Sequence, residues 1–166
     1  MIRASDIRFD DGLLRQAFGC FPSGVTAFCA MVDGVPEGMA ASSFTSVSLD
    51  PALVSVCVAN TSSTWPRLAE ASRLGVSVLA GEHGSVARSL ASKNGQRFAG
   101  VDWVATETGA VLVHGATLWL ECSIYEVVVA GDHAIVLLKI EALDIYPDVP
   151  PMVFHRSGFH ELASSA

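Results

Sequence analysis

Along the chain, apolar and polar positions fall into short blocks whose period changes from one block to the next. Leu13, Leu14, Ala17 and Phe18 recur at helical spacing and are closed off by Gly19 and Pro22, which predicts a short N-terminal helix. Gly24 to Val32 reads as a strand running into Asp33-Gly34, a dipeptide suited to a tight hairpin, so Val35 to Ala40 is expected to return beside it. Ser42 to Leu49 sets Phe44, Val47 and Leu49 among hydroxyls, the pattern of a strand with one wet face. Leu53 to Ala59 and Leu74 to Leu79 are apolar on both faces, as buried strands are, and helical stretches are expected near Ser63 to Ala71 and Gly84 to Lys93.

In the second half, Leu118, Leu120, Cys122 and Ile124 alternate with Thr117, Trp119, Glu121, Ser123 and Tyr125, a half-buried strand that carries on through Val127 to Val129. Gly131-Asp132 supplies a turn, His133 to Tyr146 a second long strand, and Met152 to His155 a short final one. No internal repeat or low-complexity linker interrupts the series. Many strands joined by hairpins, with few helices set between them, predict a mainly β fold: a single antiparallel barrel, closed or nearly so, rather than a parallel α/β sheet.

Composition narrows the classes. A length of 166 residues suits one domain over 1–166, with a core of its own. Hydrophobic residues are 51% and charged residues only 16%, below the roughly 25% of an average globular chain, which excludes disorder and coiled coil. A mean hydropathy of +0.44 raises the question of a membrane. The longest uncharged run, Gln16 to Val32, is broken by Gly19, Pro22, Ser23 and Gly24 and falls short of the roughly 18 unbroken apolar residues that a spanning helix needs. Met1 to Asp11 alternates charge with apolar residues and offers no apolar export core, so the cytoplasm is the expected location. A net charge of −7 without a basic run argues against nucleic acid as a partner. Cys20, Cys29, Cys57 and Cys122 have no C-x-x-C spacing and read as reduced, buried thiols, and neither they nor the histidines have metal-site spacing.

Four segments carry candidate chemistry. Glu37 to Ser48 combines small residues, which let a planar ligand approach the backbone, with hydroxyls for directed hydrogen bonds; a Ser-rich edge strand bonded to water has the same composition. Asn60-Thr-Ser-Ser-Thr-Trp-Pro66 marks a helix start whose free N–H groups and positive dipole end permit phosphate binding, although such caps also serve the helix alone. Gly131-Asp-His133 places an imidazole at a hairpin tip, as a solvated turn residue or as a site group. Phe154-His-Arg-Ser-Gly-Phe159 is an aromatic and basic cluster that offers Arg156 to a phosphorylated or planar ligand, or else an amphipathic terminal strand.

Together with Phe21-Pro-Ser-Gly-Val-Thr26, Gly38-Met-Ala-Ala-Ser-Ser-Phe-Thr-Ser-Val-Ser-Leu-Asp-Pro51, Ser62-Ser-Thr64 and Arg97-Phe-Ala-Gly100, these segments give the chain, from about Phe18 to Leu162, an ordered set of motifs that resembles the flavin reductase-like family. These are the small reductase components of two-component flavin-dependent monooxygenases. The resemblance implies a flavin-binding split barrel of antiparallel strands, usually a homodimer with its sites near the subunit interface. By position it implies that Pro36, Glu37, Gly38, Met39 and Ala40, with Ser42 and Ser43, meet the isoalloxazine and ribityl chain. It places Cys57, Val58 and Ala59 in the same cradle, and Ser63 and Thr64 on the phosphate with help from Arg88. His133 and the stretch Phe154, His155, Arg156 and Ser157 fall on the nicotinamide-nucleotide contacts. Two positions depart from the family's habit: Ser89 stands where an aromatic residue is common, and His155 where Tyr is common.

The activity so implied is an NAD(P)H:flavin oxidoreductase that passes a hydride from NADH or NADPH to FMN or FAD and supplies reduced flavin to a partner monooxygenase. The cofactors carry that chemistry, so the lack of a nucleophilic triad is expected, and His133 is given a positioning role toward the nicotinamide nucleotide. The alternative is a module on the same barrel that holds flavin tightly and transfers electrons without efficient NAD(P)H oxidation.

Overall fold

The computed structural model describes residues 11–93 and 95–162; the charge-alternating segment through residue 10 and residues 163–166 lie outside the described residues. Helix α1 (Asp11–Phe18) leads into β1 (Ser23–Gly24), β2 (Thr26–Val32), β3 (Val35–Ala41), β4 (Thr45–Leu49) and β5 (Ala52–Ala59). After α2 (Trp65–Leu68) come β6 (Leu74–Val78), a 3-10 turn (Gly81–His83), α3 (Gly84–Ala91), β7 (Trp103–Ala105) and β8 (Val111–Val113). The chain then runs through β9 (Leu118–Ala130), β10 (His133–Ile145), β11 (Met152–His155) and β12 (Gly158–Glu161). The main sheet has the order β3-β2-β6-β9-β10-β5-β4, with antiparallel neighbours; β1-β11-β12 and β7-β8 form two smaller antiparallel sheets.

The β2-β3 hairpin forms where Asp33-Gly34 predicts it, both residues taking positive φ (51° and 78°), which matches the twist of the flanking strands. Strand β2 is buried on both sides because alternate residues feed two cores. Phe28 and Ala30 join Val54, Val56, Val58, Leu74, Val76, Leu120, Val136 and Leu138 in one cluster, plugged by Leu68 of α2. Ala27 and Cys29 face the other, with Leu79, Val86, Ala87 and Leu90 around α3, Val111 and Val113 of β8, and Met152 of β11. Two positions of β6 let β8 lie against it. A Cβ on Gly75 would stand 2.0 Å from the Val111 carbonyl oxygen, and the buried Ser77 hydroxyl accepts a hydrogen bond from Val113 N at 3.0 Å.

Several local expectations are corrected. Gly24 belongs to β1 and not to β2, and the hydroxyl-rich strand begins at Thr45 instead of Ser42. The helix expected over Ser63 to Ala71 closes after four residues, because its later amides turn to i−3 acceptors (Glu70 N to Arg67 O, Ala71 N to Leu68 O). Met152 to His155 is followed by a further strand, β12, reached through a tight turn at Arg156-Ser157. Strands β7 and β8, three residues each, are too short to show a period. All four cysteines are free thiols, but only Cys29 and Cys122 are buried, where burial pushes both up to about 12. Cys57 is exposed because Val54, Val56 and Val58 take the inward positions of β5, and Cys20 lies in the turn after α1.

Candidate functional site

A cavity of about 570 Å³ opens beside β3. Pro36 and Glu37 of β3, Ser63, Thr64 and Arg67 at the entry to α2, and Lys93 and Gly95 to Ala99 after α3 line it. In a chain of net charge −7, this cavity gathers Arg67, Lys93 and Arg97 against a single carboxylate, Glu37, which is ion-paired with Arg67. Charge-assisted N–H donors and two hydroxyls around one opening are the donor set that a phosphate group requires.

The helix N-terminus contributes less than the sequence suggests. Trp65 N donates to the Ser62 hydroxyl at 3.1 Å, Pro66 has no N–H, and Arg67 N donates to Thr64 O at 3.1 Å, so the first turn offers no open amide. With only four residues α2 also has little dipole to lend. The anion-binding capacity lies in side chains instead. Ser63 is exposed at the opening, and Thr64 is 5% exposed with its hydroxyl bonded to Arg97.

Gly38, next to Glu37 on β3, is buried: a Cβ there would stand 2.5 Å from the Cys29 sulfur and 3.0 Å from Phe98. Its carbonyl accepts from Arg97 at 2.9 Å, so the small residue is what lets the cavity wall close on β3. Met39 packs against the first core cluster and Ala40 against the second. A second, smaller cleft of about 140 Å³ continues along the same strand, lined by Ala40, Ala41 and Ser42 with Val25, Ala87, Ala91, Phe154 and Phe159.

Ser43 donates its hydroxyl proton to Cys57 O at 3.2 Å and accepts from Cys57 N at 3.0 Å, which stitches the β3-β4 connection to β5. Of the three β5 residues in the expected cradle, Cys57 faces outward, Ala59 is half-buried and Val58 turns its side chain into the core. The β9-β10 turn is drawn toward the hydroxyl loop by Asn60, whose backbone N donates to Asp132 O at 2.9 Å and whose side chain donates to Gly131 O at 3.2 Å. At that turn His133 Nδ1 lies 2.8 Å from Asp132 Oδ1, and this hydrogen bond, reinforced by the imidazole's charge when protonated, holds the exposed Asp132 carboxyl below its ordinary range.

The structure thus brings Pro36, Glu37, Ser63 and Thr64 into one cavity and clips the His133 turn to the same loop. Arg88 is elsewhere, with its guanidinium 5.5 Å from the centre of the Phe159 ring, and it does not line the cavity of Ser63 and Thr64. Phe154 lines the second cleft, while His155 ends β11 and Arg156 and Ser157 form the β11-β12 turn, tied to the turn after α1 by Arg156 N donating to Gly19 O at 3.1 Å. Sequence reasoning did not single out Arg67, Lys93 or Arg97 as site groups. Arg67 stands one helical turn from Ser63, and Arg97 heads its own motif, Arg97-Phe-Ala-Gly100, so both had a readable trace.

Comparison with known proteins identifies the family and the fold. The family model described as the flavin reductase like domain matches residues 18–163. The reductase component of a flavin-dependent trigonelline monooxygenase from Acinetobacter baylyi is 44% identical over 77% of this chain, which spans 42% of that longer protein. A flavin reductase from Pseudomonas putida is 34% identical over 93% of this chain and 92% of its own. Among solved structures, a Streptomyces globisporus NADH:FAD oxidoreductase in complex with NAD and FAD fragments superposes with a TM-score of 0.88 at 39% identity, covering 95% of each chain. The strand topology, the motifs in order and these relatives together place the chain in the flavin reductase like domain family, with its split-barrel fold.

Proposed function

We propose that this protein uses NADH or NADPH to reduce FMN or FAD and hands the reduced flavin to a partner monooxygenase, working as a homodimer. The observation that carries the reading is the cavity beside β3, where three cations and two hydroxyls converge in an otherwise acidic chain. Ser63 and Thr64 bind the flavin phosphate, with Arg67 and Lys93 supplying positive charge. The small residues of β3 let the ring system approach the backbone between the two clefts, with Ser42, Ser43 and Cys57 at its edge.

When bound, flavin and nicotinamide nucleotide would supply the redox chemistry, the transfer of a hydride from the reduced nicotinamide to the flavin. Protein groups bind and orient. The Asp132 carboxylate holds the His133 imidazole at the tip of the β9-β10 turn, where it orients the nicotinamide nucleotide. Phe154 in the second cleft, with the adjoining His155, Arg156 and Ser157, supplies the aromatic and basic side of that nucleotide site, and Arg88 stands at its rim over Phe159.

Anaerobic stopped-flow mixing of the protein and FMN or FAD with NADH, and separately with NADPH, tests the activity. Loss of the oxidised flavin's visible absorbance at a rate well above that without protein is the expected result. No acceleration with either donor leaves the tight flavin-binding, electron-transferring module as the reading. At the site, replacing His133 with Ala is expected to raise KM for NADH or lower the reduction rate while flavin affinity stays the same; unchanged NADH kinetics would remove His133 from the site.

A further inference from the structure

Arg97 makes three hydrogen bonds to three separate segments. Nε donates to Ser92 O at 2.7 Å at the end of α3, and Nη1 donates to Gly38 O at 2.9 Å on β3 and to the Thr64 hydroxyl oxygen before α2. A guanidinium carries donors only, so in the last of these bonds the Thr64 oxygen must be the acceptor. The hydroxyl has no competing duty in the backbone: Thr64 makes no side-chain cap for α2, and Ser62 takes that role through Trp65 N. Among the described residues its single proton meets no acceptor, which leaves it for an acceptor on a ligand. Thr64 is 5% exposed and lines the cavity, so that acceptor lies in the cavity.

We infer that Arg97 is a positioning residue that sets the polarity of Thr64: by occupying the hydroxyl's acceptor side, it turns Thr64 into an obligate donor aimed at an anionic oxygen of the ligand. The inference rests on the phosphate role proposed for Thr64 and adds the group that enforces it. A lysine would keep the charge without the planar fork that reaches three oxygens at once.

The test measures Kd for FMN and for riboflavin, which lacks the phosphate, on the full-length protein by flavin fluorescence, with thermal melting as a check on folding. Thr64→Val is expected to weaken FMN by about tenfold or more, the loss of one charge-assisted hydrogen bond, with riboflavin changed less than about threefold. Thr64→Ser, which restores a hydroxyl, is expected to recover FMN binding. Arg97→Lys is expected to reproduce the selective loss of FMN, and adding Thr64→Val to it to cost little more, because both changes remove the same directed donor. Should the lysine not fold, Arg97→Gln is the second variant, read through the double variant alone because it also removes a charge: adding Thr64→Val to it is expected to cost little more.

Losses that multiply in the double variant, or an Arg97→Lys protein with wild-type selectivity, overturn the role of Arg97 while leaving the phosphate at Thr64. Equal losses of FMN and riboflavin in Arg97→Lys also overturn it, as a purely structural role would give that result. If Thr64→Val leaves the FMN to riboflavin ratio unchanged, the phosphate reading itself falls, and the inference with it.

Discussion

At the scale of single residues, His83 shows how a structural hydrogen bond becomes a pH dependence. Its Nδ1 accepts from Ala80 N at 3.1 Å, which requires the neutral ring, and burial lowers its pKa below the ordinary 6.5 against the opposing pull of Glu82 and a backbone contact to His114. In the unfolded chain the same imidazole takes up a proton near 6.5. Between that value and the lowered one the unfolded state binds more protons, so stability is full above about 6.5 and is lost as pH falls below it. His83→Asn keeps a side-chain acceptor and removes the titration. Melting temperatures followed from pH 7 to pH 5 should fall more steeply in the wild type than in that variant, and parallel curves would contradict the account. Gly75 is a purely steric case. The Cβ of Gly75→Ala would stand 2.0 Å from a backbone oxygen of β8, so β6 and β8 must separate. We expect a loss of about 3 kcal/mol or more by overpacking, read as a fall in melting temperature of roughly 10 °C.

At the scale of elements, the β11-β12 turn is built from Arg156 and Ser157, both at positive φ (48° and 63°), where residues with a Cβ are uncommon. Arg156→Asn with Ser157→Gly relaxes both positions and is expected to raise the melting temperature. If Arg156 serves the nicotinamide nucleotide, the same variant raises KM for NADH, so a more stable protein with unaltered KM would remove Arg156 from the site. The turn also shows what was legible in the sequence. Asp33-Gly34 announces its hairpin because the residues alone prefer its geometry, whereas Arg156-Ser157 does not, and β12 went unread. The long strands were legible because one buried face imposes a period of two over many residues, as Leu118 to Ile124 display. Strands β7 and β8 have three residues and no room for a period, and α2 is shortened by bonds that spacing does not encode. The site divides in the same way. Pro36 and Glu37 on β3 and Ser63 and Thr64 before α2 each lie in a motif of their own, and the packing of α2 on β3 brings them together, whereas Arg97, 33 residues beyond Thr64, joins them from the segment after α3.

At the scale of the whole molecule, two buried clusters account for only part of the apolar excess. Val129 is 81% exposed and Leu49 98%, with Tyr125, Val127, Val128, Leu143 and Ile145 also exposed. For the residues of β9 the cause lies in the topology. Strand β6 pairs with β9 from Leu118 to Cys122, and beyond that point β9 keeps β10 on one side and, among the described residues, has no neighbouring strand on the other. A bulge between Ile124 and Glu126 bends the strand where it leaves the barrel. A long apolar edge of this kind is an aggregation hazard unless it is covered, and a second copy of the chain presents a matching surface by symmetry. The proposed homodimer thus explains why so apolar a chain tolerates these residues. Val127→Lys with Val129→Lys puts two like charges on that edge within each subunit. Sedimentation velocity should give a wild-type mass near twice 17.4 kDa and a variant mass near 17.4 kDa. A wild type that sediments as a single subunit at every concentration would show that the edge is covered in some other way.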